Sequence, residues 1–69
     1  MDHTTKKLIN KMIWNAVDLE LTNRHVPSEH AEGAAYGSLL TLSLATDSDI
    51  GSMREFIIEL ANVQERIEK

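Results

Sequence analysis

The sequence predicts an all-α protein: a small three-helix protomer, a helical hairpin plus a third helix, assembled as an intertwined or side-by-side homodimer. Three observations carry that expectation. Apolar residues recur at helical rather than alternating spacing in the first and last thirds of the chain. Fourteen consecutive residues, Gly33 to Thr46, carry no charge in a chain that is 26% charged. Turn signals at NRHVPS and DSDIG divide the rest into three segments, with helices expected over about 4–24, 28–46 and 52–68 of a single helical domain, residues 1–69.

The first segment has Asp2 or a threonine available as N-cap. Leu8, Ile9, Met12, Ile13, Ala16, Val17 and Leu19 cover one half of the helical cylinder, and Lys7, Lys11, Asp18 and Thr22 occupy the other. Trp14 projects onto the polar stripe, among Lys7, Lys11 and Asp18. Two readings follow. Either these four residues contact a partner, since tryptophan is enriched among interface hot spots and lysines beside it supply cation–π contacts or steer an acidic surface, or Trp14 packs on the third helix or on a second copy of the chain.

Pro27 ends the first helix, because it disfavours an α conformation at Val26 and fits only the first turn of a new helix. His25, Glu29, His30 and Glu32 gather at this boundary, but they match no recognised ligand spacing, and Glu29 and His30 point about 100° apart on a helix. A solvated helix start is expected there, with no metal; the histidines are its groups titrating nearest neutral pH.

In the second segment, Gly33, Gly37, Thr41 and Ala45 are spaced four apart and form a row of small side chains. Glycine inside a helix costs about 1 kcal/mol relative to alanine, so these positions are expected to serve close packing against another backbone. Ala31, Ala35, Leu39 and Leu42 make a second stripe, and Tyr36, Leu40 and Leu44 a third. A helix apolar or small all round is a buried one. It is therefore expected to be the innermost helix, covered on more sides than one short chain supplies.

Ser52 and Glu55 match a capping box, opening the third helix after a turn that Asp47 or Asp49 closes. Met53, Phe56, Leu60, Val63 and Ile67 recur at heptad spacing and, with Ile57, are the expected dimer interface. Glu65 and Lys69 form a favourable pair four apart. The expected core is Ile9, Met12, Ile13, Ala16, Ala35, Leu39, Leu42, Phe56, Leu60 and Val63.

Composition narrows function mainly by exclusion. With no cysteine, thiolate metal sites, disulfides and cysteine nucleophiles are absent. A net charge of −4 opposes phosphate, so nucleic acid is an unfavoured partner. There is no phosphate-binding glycine loop, nucleophile elbow or EF-hand pattern, so no catalytic residue, cofactor or metal is expected. No run reaches the roughly 18 apolar residues of a membrane span, and the expectation is a cytoplasmic protein. A core of this size supplies only about 3–5 kcal/mol, which favours a homodimer. The reading is a non-enzymatic protein-binding regulator of adaptor, antiactivator or inhibitor type, the size class of bacterial and phage small proteins. The alternatives are a helix-turn-helix DNA binder and, more remotely, a helical protein that binds a small molecule or metal.

Overall fold

A computed structural model describes residues 2–68 of the chain. Among the described residues there are three helices, α1 (His3–His25), α2 (Glu29–Thr46) and α3 (Ile50–Glu68), and no strand.

Each boundary has a local cause. Asp2 caps α1, its Oδ1 accepting from the Thr5 amide at 2.7 Å, and Ser28 caps α2, its Oγ accepting from the Ala31 amide at 3.0 Å. At the C-terminal end of α1 the Val26 amide donates to the Thr22 carbonyl at 2.8 Å, and Pro27 prevents continuation. α2 closes on Asp47, which adopts a left-handed conformation at φ 52°. The Ser48 amide then reaches back to the Ser43 carbonyl at 2.9 Å and the Asp47 amide to Leu44 at 3.4 Å. This is a Schellman closure made by aspartate, a residue that tolerates the left-handed region better than most.

The start of α3 departs from expectation. Ser52 is not the cap; Asp49 is, its Oδ2 accepting from the Ser52 amide at 3.1 Å while its carbonyl accepts from Met53 at 3.0 Å. The ionised carboxylate is the stronger acceptor and faces the positive helix end. Gly51 leaves it room, since a Cβ there would lie 3.0 Å from that same carboxylate oxygen.

One fully buried side chain from each helix, Val17, Leu42 and Ile57, anchors the core, joined by Ala16, Met53 and Ala61. Met12, Ile13, Leu21, Leu39 and Leu60 pack around this cluster, half-buried. α1 contacts α2 and α3 more extensively than these contact each other. The innermost helix is thus α1 rather than α2: its apolar half is wide enough to serve two neighbours, whereas α2 turns only its Leu39, Leu42 and Ser43 side inward.

α3 is also rotated relative to the expected seam. Met53, Ile57 and Ala61, spaced four apart, face the interior, so Met53 and Ile57, expected at a dimer interface, lie in the core of the protomer. The small Ala61 sits fully buried in this row and lets α3 approach closely. Phe56 and Val63, expected in the core, are about half exposed, and Ile67 is 72% exposed.

The C-terminal part of α3 is tied to α1 by Arg24. Its Nη1 donates to Asn62 Oδ1 at 2.9 Å and lies 3.6 Å from Glu65 Oε1, and its Nε lies 3.5 Å from Glu20. His25 Nε2 is 3.6 Å from the same Glu65 oxygen, an ion pair only when the imidazole is protonated. Glu65 therefore serves α1; its expected partner Lys69 lies outside the described residues.

Two outcomes test this packing. Ile57→Ala should cost about 2–5 kcal/mol in urea denaturation followed by circular dichroism, while Ile67→Ala should change stability by less than about 0.5 kcal/mol; equal effects would contradict the rotation of α3. The Thr5 amide holds the Asp2 carboxyl below its ordinary value of 3.8. Its contribution is therefore fully present above the unfolded value and lost as pH falls through the lower folded value. Asp2→Asn should flatten this part of the acid titration of helicity; an unchanged titration would show that the cap is not carried by the charge.

Candidate functional site

The outer face of α1 brings together all four residues expected to meet a partner. Lys7, Lys11, Trp14 and Asp18 line one shallow depression of about 620 Å³ together with Thr4, Leu8, Asn10 and Asn15. Spacings of three and four put them on one side of the helix, opposite the core-facing Ala16. Trp14 is 45% exposed and takes no part in the core cluster, so within the protomer it does not pack as a core residue. Two lysines beside one aspartate make this face locally positive on a chain of net charge −4.

A second exposed face lies on α2. Gly33, Gly37, Thr41 and Ala45 do not pack closely against anything within the protomer: all four are exposed, and a Cβ at Gly33 or Gly37 would meet no atom within 4 Å. Beside them Tyr36 is 58%, Leu40 43% and Leu44 77% exposed. The row expected to nest against a neighbouring helix is thus an open surface. The row is visible in the sequence but its direction is not, because a segment apolar on every side carries no phase to show its inward side.

A third feature is a cleft of about 450 Å³ where α1, α2 and Arg54 of α3 meet, lined by Glu20, Asn23, Glu29, Glu32 and Tyr36 among others. Arg54 is its only cation, and the sequence offered no sign that residues so far apart would meet. The described residues hold no group of three or more potential metal ligands. Three α2 hydroxyls donate to the carbonyl four residues back: Thr41 to Gly37 at 2.9 Å, the buried Ser43 to Leu39 at 2.9 Å and Thr46 to Leu42 at 2.7 Å. These bonds satisfy the hydroxyls locally. No described helix is long and apolar enough to cross a membrane.

Family models, curated proteins and solved structures were each compared with the chain, and none matches.

Gly37→Ala probes the open α2 face at the level of the single protomer. In the dilute protein, where no second chain participates, it should raise stability by about 0.5–1 kcal/mol through helix propensity alone. A loss of stability under those conditions would mean that a neighbouring element crowds this position.

Proposed function

We propose that the protein is a small non-enzymatic regulatory module that works in the cytoplasm, as a helical homodimer that docks on another protein and acts as an adaptor, antiactivator or inhibitor. The observation that carries this reading is the half-exposed Trp14 set between Lys7 and Lys11 on the outer face of α1. A tryptophan held in water by a rigid helix, without a role in the core, supplies a large apolar contact at little entropic cost on binding. The lysines favour a partner surface that is acidic around an apolar socket, and Asp18 sets the direction in which such a surface docks.

A DNA-binding role has weaker support. The outward face of α2 offers no lysine, arginine or amide side chain to base edges, and the arginines of α3, Arg54 and Arg66, are interspersed with Glu55, Glu59 and Glu65.

The reading is tested by affinity capture from the lysate of the protein's own host, with the wild type and Trp14→Ala compared. A partner protein retained by the wild type and lost with Trp14→Ala, whose melting temperature stays close to that of the wild type, is the expected outcome. Equal capture by both, or a large loss of stability in the variant, would remove Trp14 from the contact surface and with it the main support for this function.

A further inference from the structure

We infer that the outward face of α2 is where a second copy of this chain docks, in a crossed two-fold pairing of α2 on α2 centred near Gly37 and Leu40. The inference rests on the homodimer of the reading above and names the surface that forms it.

The first argument is the amount of uncovered surface. The chain exposes 5114 Å² at a mass of 7.8 kDa, whereas a monomeric protein of that mass exposes about 4,400 Å². The excess, about 700 Å², is close to the roughly 800 Å² that each partner buries in a standard stable interface. On α2, Tyr36, Leu40 and Leu44 form a row of large side chains spaced four apart, all exposed.

The second argument is shape. Next to that ridge runs the row from Gly33 through Gly37 to Ala45, a shallow groove with empty space above both glycines. Rows spaced four apart on two helices interdigitate when the helices cross at about −50°. Under two-fold symmetry the ridge of one copy enters the groove of the other, and the reverse holds at the same time, so the face is complementary to itself. Glycine at the crossing point allows the closest approach of the two backbones.

The third argument is charge. A chain of net charge −4 repels its own copy except where the contact is neutral, and no charged residue lies between Gly33 and Thr46. Glu29 and Glu32 lie at one end of α2, and Asp47 and Asp49 just beyond the other; a crossed pairing moves these ends apart. The remaining apolar row, Phe56, Val63 and Ile67 on α3, is a poorer match. It has no groove of small residues beside it and is bordered by Glu59.

Light scattering and sedimentation of the full chain over a range of concentrations test the assignment, using the wild type, Gly37→Leu, Leu40→Glu and Phe56→Glu. Gly37→Leu fills open space with a better helix former, so circular dichroism should show an intact protomer while the dimer dissociation constant rises at least about tenfold. Leu40→Glu should act in the same direction, and Phe56→Glu should leave the dimer intact. If Gly37→Leu and Leu40→Glu remain as dimeric as the wild type while Phe56→Glu becomes monomeric, the α2 assignment is overturned and the homodimer stands. A wild type that is monomeric at every concentration overturns both.

Discussion

The protomer depends on the meeting of Val17, Leu42 and Ile57, the one point where all three helices contribute a fully buried side chain. Around it the core thins quickly, because a chain of 69 residues has far more surface than interior. Among the described residues only Ala16, Met53 and Ala61 join the three as buried apolar residues, and the next layer is only partly buried. This scarcity governs the remaining architecture. α1 must serve both neighbours, so α2 and α3 each turn one side toward it and leave another side in water.

The same constraint separates what was legible in the sequence from what was not. The three helices and their ends were legible, since Pro27, Ser28 and the aspartates of the second turn act through their immediate neighbours. Even there, the choice of Asp49 over Ser52 as cap turned on which acceptor was ionised. Rotation about each helix axis was less legible. On α1 the apolar and polar halves are distinct, and Trp14 stands among Lys7, Lys11 and Asp18 as its projection required. On α3 the heptad row and the row of Met53, Ile57 and Ala61 compete for the inside, and the smaller residue decides the outcome by permitting closer approach. On α2 the stripes differ too little in polarity to choose among them. The ties from Arg24 to Asn62 and Glu65 join residues about forty positions apart and leave no local mark.

The candidate surfaces differ in chemistry, in keeping with the different roles proposed for them. The α1 face combines one aromatic side chain with charges, the composition of a contact that forms and breaks with a separate protein. The α2 face carries no charge between Gly33 and Thr46, and in the pairing proposed above it would be complementary to itself. With the two on different helices, the proposed dimer would present two copies of the Trp14 face at once. Two linked contacts bind a repeated or dimeric partner far more tightly than one, provided their spacing fits.

The sequence itself provides the reporters for the central claim, because Trp14 and Tyr36 are its only tryptophan and tyrosine and lie on different faces. Hydroxyl-radical footprinting of the purified chain, at high concentration and after dilution, measures the exposure of both in one experiment. The account predicts that Tyr36 is protected at high concentration and becomes reactive on dilution, while Trp14 reacts equally at both. Protection of Trp14 with Tyr36 reactive throughout would contradict it.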